Sequence, residues 1–441
     1  MGRKRSYTPL NIFIGSRLVG QLVRASTGAV SFAYDQSWLD WEHSFPISLS
    51  LPLRADRYIG PPVIAYFDNL LPDNDQIRTR LAGRVGAAGT DAYSLLSIIG
   101  RDCIGALQIL PVGEQVEKSN TLTGRPMSGS DIETLLGNLT THPLGLRRDN
   151  DFRISVAGAQ EKTALLWHEG QWIEPTGTTP TTHIIKPAIG QLPNGMDLTD
   201  SVENEYFCLR LLQAFGLPVA HTEIAQFGDI KALVVERFDR IWAKDGRLVR
   251  LPQEDCCQAL SIPPALKYQS DGGPGIVEIS QLLRRSDEPM QDQKAFFKAN
   301  ILFWLMGATD GHAKNFSIAL TVGGRFRMTP FYDVVSVQPT LDAHQLNRKD
   351  MKLAMRVGDK NHYRVDKITG RHFVQTGLKA GLSKQVIHEV ITDITDNAEV
   401  AINDALQSLP DGFPVDMATS ITNGIIARMP LLAPAFIEDA D

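Results

Sequence analysis

Thr309-Asp-Gly-His-Ala-Lys-Asn315 (T-D-G-H-A-K-N) is the stretch on which the reading of this chain turns. It directly follows the apolar run Phe296–Gly307 and Ala308, so the pattern predicts a helix over Gln291–Met306 holding up a polar loop. Asp310 precedes Asn315 by five positions. That is the spacing of a phosphoryl-transfer loop, where the Asp orients or deprotonates the acceptor hydroxyl and the Asn takes a magnesium ion. Two β-rich runs follow, on either side of Gly323-Gly324, and end at Asp333. They predict a hairpin that returns the chain and places Asp333 near Asp310 and Asn315. A second aspartate there is a kinase's main magnesium ligand. A D-x-x-x-x-N match alone fits many polar loops; the ordered set of helix, loop, hairpin and aspartate is more selective.

Working upstream, Lys186 closes the strand-like T-H-I-I-K and precedes Pro187, which favours extended backbone. A lysine ending a strand is commonly a snorkelling residue. The helix predicted over Ser201–Phe215 argues for more. Val202, Glu205, Leu209 and Leu212 share one face, and an unpaired carboxylate in that stripe would cost several kcal/mol. Lys186 is the nearest good partner for Glu205, whereas Glu203 is expected in water. The strand Lys231–Glu236 runs into Glu236-Arg237-Phe238, either a connection that meets adenine or a plain charged turn. Small residues in Ile154–Lys162 suit close approach to a phosphate, although the stretch lacks G-x-G-x-x-G. His312 reads equally as a loop hydrogen-bonder and as a nucleotide contact, and Lys314 is a further cation beside it. Asp333 is followed by Val334-Val335 instead of Phe-Gly.

The 441 residues imply two or three domains. With 43% hydrophobic and 21% charged residues, the chain is not disordered, collagenous or low in complexity. Forty-four Lys plus Arg against 50 Asp plus Glu give −6, which excludes nucleic-acid binding by overall charge. The charge is uneven, however. Ala343–Lys384 holds 10 basic and 3 acidic residues, and Gln385–Asp441 holds 1 and 10. The acidic part begins with Val386, Ile387, Val390, Ile391 and Ile394 at helical spacing behind Ser383, a structural helix with its cap. Four cysteines without C-x-x-C spacing read as reduced, buried thiols of a cytoplasmic protein. No leader core or membrane-length apolar run is recognisable. Residues 1–111 carry short β-type runs (Asn11–Ile14, Leu18–Val23, Val30–Tyr34) and then a helix over Asp73–Ala82. Residues 112–129 read as a linker.

Several longer stretches share a further likeness. They include F-D-N-L-L-P-D (Phe67–Asp73), I-G-R-D-C-I-G-A-L (Ile99–Leu107), D-F-R-I-S-V-A-G-A-Q-E-K-T-A-L (Asp151–Leu165) and T-P-T-T-H-I-I-K (Thr179–Lys186). L-P-Q-E-D, Y-Q-S-D-G-G-P-G, A-T-D-G-H-A-K-N-F-S and P-F-Y-D complete the set. Together these resemble the HipA family of bacterial kinase toxins, nearly end to end. The resemblance implies an α+β, protein-kinase-like bilobal fold with an N-terminal β-rich domain and a mostly helical C-terminal lobe. Its divisions would be 1–111, a connection at 112–150, an N-lobe-like part at 151–240 and a helical lobe at 241–441. It implies an ATP- and magnesium-dependent serine/threonine kinase that modifies glutamate–tRNA ligase, stalls translation and arrests growth. Asp310 matches the catalytic aspartate and Asn315 and Asp333 the magnesium ligands. Around the nucleotide the resemblance places Lys186, Glu236, Arg237, Phe238, His312, Lys314 and Tyr332. The loop over the phosphates is Val156, Ala157, Gly158, Ala159, Gln160, Glu161 and Lys162. Ser155 matches the autophosphorylation serine whose modification would withdraw that loop. The implied partners are a HipB-type helix-turn-helix antitoxin and operator DNA, with Lys379 and Lys384 as candidate phosphate contacts. A metal-dependent phosphohydrolase on Asp310, His312 and Asp333, or an inactive kinase serving as co-repressor, are the competing readings.

Overall fold

The computed structural model describes residues 7–116, 122–146, 154–158 and 160–432. They form two compact units, each assembled from separate stretches of chain. The first comprises Met1–Pro187, Ala225–Ala265 and Ile318–Phe326; the second comprises Ala188–Ile224, Leu266–Ser317 and Arg327–Asp441.

In the first unit, the alternating runs near the N-terminus become antiparallel strands at Leu10–Ile14, Arg17–Arg24 and Val30–Tyr34. Tyr58–Ile59 and Leu107–Pro111 extend them into a five-stranded sheet, with Leu107–Pro111 beside the first strand. Its apolar face buries Ile12, Leu22 and Phe32 against Trp38, Phe67 and Leu95. The predicted helix runs over Asp75–Val85, started by Asn74, whose side chain accepts the N–H groups of Gln76 and Ile77. A six-stranded sheet follows in the order Thr222–Phe227, Ile230–Glu236, His183–Pro187, Thr163–His168, Gln171–Pro175, Gly124–Met127. The last of these corrects the linker expectation for 112–129. Gly124–Met127 is a short edge strand on Trp172–Pro175, and only its Met127 is buried. Three polar or turn-type residues in four hide such a strand from any hydrophobic pattern, because its partner supplies the reason to be extended. Residues 117–121 of that stretch lie outside the described residues.

The second unit is mostly helical. Its long helices are Ser201–Ala214, Pro289–Met306, Lys384–Gln407 and Val415–Leu432. The Ser383 hydroxyl accepts the Val386 N–H, and Val386, Ile387, Val390, Ile391 and Ile394 are buried as their spacing requires. Glu203 departs from expectation: it is 2% exposed, not solvated. Helix Ser201–Ala214 is covered on nearly every side, and Glu203 lies in its first turn, where the helix dipole favours a carboxylate. The predicted hairpin, Ser317–Thr321 and Arg325–Met328 joined through Gly323-Gly324, falls mainly in the first unit, sheeted with Gln253–Asp255. All four cysteines are free and buried. Among the described residues no helix is long and apolar enough to cross a membrane.

Candidate active site

The residues of the candidate catalytic loop lie in the second unit, and aromatic packing sets their positions. Helix Pro289–Met306 stops at Gly307, whose left-handed backbone (φ 72°) returns its N–H to the Phe303 and Trp304 carbonyls. That positive φ favours glycine, and a Cβ there would also displace the end of the Met351 side chain. Ala308 then bridges to Ser336. Past the loop, Phe316 packs edge-to-face on Phe296 (4.8 Å between centroids) and on Phe331 (6.1 Å). Phe316 follows Asn315 and Phe331 stands two residues before Asp333. One aromatic contact therefore holds two polar residues that lie 18 positions apart in the chain.

The consequence is visible in one amide. Nδ2 of Asn315 donates to the Asp310 carbonyl at 2.8 Å and to the Asp333 carbonyl at 3.4 Å. With Nδ2 so fixed, the oxygen Oδ1 is the atom left to meet a ligand. Asp333 itself has φ 59°, a left-handed backbone that a non-glycine residue adopts at a cost of about 1–2 kcal/mol. The Asp310 carboxylate is 57% exposed and accepts the Tyr268 hydroxyl at 2.5 Å. His312 is buried, its ring edge-on to Tyr268 at 5.0 Å and its Nε2 4.0 Å from Asp310. Lys314 is buried in the 3-10 turn Ala313–Asn315, and its carbonyl accepts the Tyr332 hydroxyl at 2.9 Å. Asp310, His312, Lys314, Asn315, Tyr332 and Asp333 are thus drawn together. Two hard oxygen donors, the Asn315 amide and the Asp333 carboxylate, suit magnesium, which retains waters and takes only one or two protein groups beside phosphates. Among the described residues no group of three or more His, Cys, Asp or Glu is arranged to hold a metal on its own.

The first unit carries the remaining candidates. Lys186 is 6% exposed on the strand His183–Pro187, directly across from Leu233. Glu236 is exposed at the end of the neighbouring strand and Phe238 half-buried beyond it. Ile154–Gly158 is tied down by the Phe67–Asp73 stretch. Ser155 is wholly buried, its hydroxyl donating to the Leu70 carbonyl at 2.6 Å, and the Asp73 N–H reaches the Gly158 carbonyl at 3.1 Å. Val156 is buried, and Ala157 accepts the Lys162 ammonium at 2.9 Å. Gly158 has φ 115°, and a Cβ on it would strike that ammonium. Gln160 donates to the Pro187 carbonyl at 3.0 Å, and Glu161 pairs with Arg80 at 2.7 Å. Ala159 lies outside the described residues. Glu205, in the second unit, is 3% exposed.

The Arg237 side chain is engaged within the fold. Its guanidinium is 1% exposed and bonds to Asp239 (3.0 and 2.8 Å), to Thr181 (2.8 Å) and to the Cys103 carbonyl (2.9 Å). Asp102 lies 3.3 Å away and also receives Arg240 and Arg250, each at 2.9 Å. Burial pushes the Asp102 carboxyl up, but Arg240, Arg250 and Arg237 outweigh it and hold it well below the usual carboxylate range. Sequence reasoning missed this cluster and the clamp made by Phe67–Asp73. It also missed Tyr268, whose only signal was membership of Y-Q-S-D-G-G-P-G. Of the candidate DNA contacts, Lys379 pairs with Asp359 at 2.7 Å, and Lys384 opens helix Lys384–Gln407.

Family models match in two places: the HipA N-terminal domain over residues 10–110 and the HipA-like C-terminal domain over 154–402. The chain belongs to the HipA family. The putative kinase Y4mE of Sinorhizobium fredii is 34% identical over 406 residues, covering 91% of this chain and 93% of its own. The serine/threonine-protein kinase toxin HipA of Shewanella oneidensis is 28% identical over 417 residues, covering 91% and 90%. The fold agrees with HipA from the Shewanella oneidensis complex of HipA, HipB and operator DNA, with a TM-score of 0.80 at 24% identity over 97% of this chain and 99% of that one. The architecture is therefore the α+β, kinase-like fold of HipA proteins.

Proposed function

We propose that this HipA-family chain is an ATP- and magnesium-dependent serine/threonine protein kinase acting as the toxin of a toxin–antitoxin pair. The observation that carries the reading is the Asn315 amide, which joins the loop of Asp310 to the backbone of Asp333. A kinase needs those three residues in register and little covalent chemistry besides. Asp310, steadied by Tyr268, orients the acceptor hydroxyl and receives its proton. Oδ1 of Asn315 and the Asp333 carboxylate would hold magnesium, which neutralises charge building on the transferred phosphoryl group. Lys186 and the backbone of Val156–Lys162 are assigned to the ATP phosphates, and the strand end at Glu236–Phe238 to adenine. Buried Glu205 needs a cationic partner, and the role assigned to it is to steady Lys186.

The finer parts rest on the family. The accepting protein is proposed to be glutamate–tRNA ligase. A HipB-type antitoxin is the proposed partner on operator DNA, with Lys379 and Lys384 touching phosphates. Autophosphorylation is proposed at Ser155. Its hydroxyl is sealed against Leu70, so transfer first requires Ile154–Gly158 to leave its seat. A phosphate there cannot return, because its charge would be buried.

The test is incubation of the purified chain with radiolabelled ATP, magnesium and glutamate–tRNA ligase, beside Asp310→Ala. Label on the ligase and on Ser155, lost in the variant, is the expected result. Free phosphate without labelled protein would point to a hydrolase, and no turnover with intact operator binding to a co-repressor.

A further inference from the structure

A cavity of about 500 Å³ opens in the second unit beside the catalytic loop. Tyr268 and Thr309 form one side of it, so its wall includes both the residue before Asp310 and the residue whose hydroxyl holds that carboxylate. The two-stranded ribbon Lys352–Val357 and His362–Arg364 also lines it, through Lys352, Leu353, Ala354 and His362–Arg364, as does Lys367. The ribbon is pinned near the loop by the Arg356 N–H, which donates to the Gln269 side chain at 2.9 Å.

The charge on this wall is unbalanced. Lys352 and Arg364 stand directly opposite each other on the antiparallel pair, and like charges so placed destabilise a ribbon. Asp366 binds Arg364 at 3.0 and 2.8 Å and lies 4.0 Å from Lys367, so two of the three cations lining the cavity share one carboxylate. The His362 ring lies against that of His372 at 4.0 Å. Burial, and then His362 itself, bring His372 down to about 4. Leu353 and Ala354, both buried, add apolar surface to the lining. Cations and aliphatic side chains lining one cavity match an acidic side chain on a hydrocarbon stem better than a bare phosphodiester.

We propose that this cavity receives a carboxylate side chain of the substrate polypeptide, one to about three residues from the hydroxyl that Asp310 accepts. The reach follows from the geometry: Thr309 is one residue from Asp310, and an extended peptide advances about 3.3 Å per residue. Part of the basic stretch Ala343–Lys384 is thereby assigned to substrate, not to DNA. The proposal rests on the kinase reading, and direct binding separates its failure from a failure of that reading.

The experiment uses the full chain, its Lys352→Ala/Lys367→Ala variant and a Lys352→Gln control for bulk. Fluorescence anisotropy measures binding of labelled Glu-Glu-Ser-Glu-Glu, its Gln-Gln-Ser-Gln-Gln counterpart and pentauridylate. The expected result is saturable binding of the acidic peptide, weakened about tenfold or more in the double variant, with the Gln peptide no better than the variant. Peptide phosphorylation should then show KM raised by a similar factor at unchanged kcat. Binding of the Glu peptide that ignores both substitutions overturns the proposal, as does absence of binding. Tighter binding of pentauridylate, lost in the same variant, overturns it in favour of RNA. If the peptide binds as expected but no variant or wild-type protein transfers phosphate, the cavity assignment stands and the kinase reading falls.

Discussion

Asp102→Asn tests whether the arginines of Glu236–Arg250 serve the fold or the nucleotide. The native carboxylate meets Arg237, Arg240 and Arg250 at 2.9–3.3 Å and accepts both the N–H and the hydroxyl of Thr181. All of these groups are nine-tenths or more buried. An amide keeps the shape but removes the charge and turns an NH2 group toward a guanidinium. Arg237 and Arg240 then share Asp239, and Arg250 keeps the Thr178 carbonyl. Breaking a buried ion pair on one side costs about 3–5 kcal/mol. For a unit of 150–250 residues each kcal/mol moves the melting temperature by about 2–4 °C, so a fall of roughly 6–20 °C is expected. Thermal unfolding followed by circular dichroism measures it, and nucleotide affinity is titrated well below the melting range, where the fold is intact. Affinity should change by less than about threefold. A fall of under 3 °C accompanied by loss of nucleotide binding would refute the reasoning, since the guanidiniums would then be ligand groups and not fold groups.

Three further outcomes are expected. Tyr268→Phe removes the donor at 2.5 Å from Asp310; because that carboxylate is 57% exposed, water partly replaces it and only about 0.5–1.5 kcal/mol is lost. Steady-state kinetics should show kcat lowered roughly two- to tenfold with the KM for ATP unmoved, and a change confined to KM would contradict the role. Asp333→Gly should abolish transfer yet leave the unfolding free energy within about 1 kcal/mol of wild type, because relief of the φ 59° strain offsets the added freedom of the unfolded glycine. A large loss of stability in denaturant titration would mean that the Asp333 side chain supports the fold. Glu254 is buried, which with nearby Asp255 pushes it up to about 8 from an ordinary value of 4.5. Between those pH values the unfolded chain releases the proton and the native one keeps it, so stability falls by about 1.4 kcal/mol per pH unit as pH rises through the window. Glu254→Gln should flatten that slope, and parallel melting curves from pH 5 to 8 for the two proteins would exclude it.

What could be read from the chain and what could not divide along sequence distance. Asp310, Asn315 and the hairpin to Asp333 form one continuous passage, so periodicity, a Gly-Gly turn and a fixed spacing were enough to bring them together. The Tyr268 hydroxyl comes from 42 positions ahead of Asp310, and Asp102 from 135 and 148 positions ahead of Arg237 and Arg250. No local pattern encodes a pairing across such intervals. Each member, taken alone, looks like an ordinary polar residue in a turn. Arg237 is such a case: its neighbours Glu236 and Phe238 define a strand end, and nothing nearby shows that its charge is met by Asp102 and Asp239. Glu203 fails for the complementary reason. Helical periodicity marks which face is most apolar, but it does not say whether the other faces are also covered, and on Ser201–Ala214 they are. Buried charge is the part of this protein that demanded three dimensions, because its cost is set by distant partners and not by neighbours in the chain. The same argument reaches Ser155: only the seat that Leu70 and Asp102 give it in the fold shows that its hydroxyl is closed to solvent.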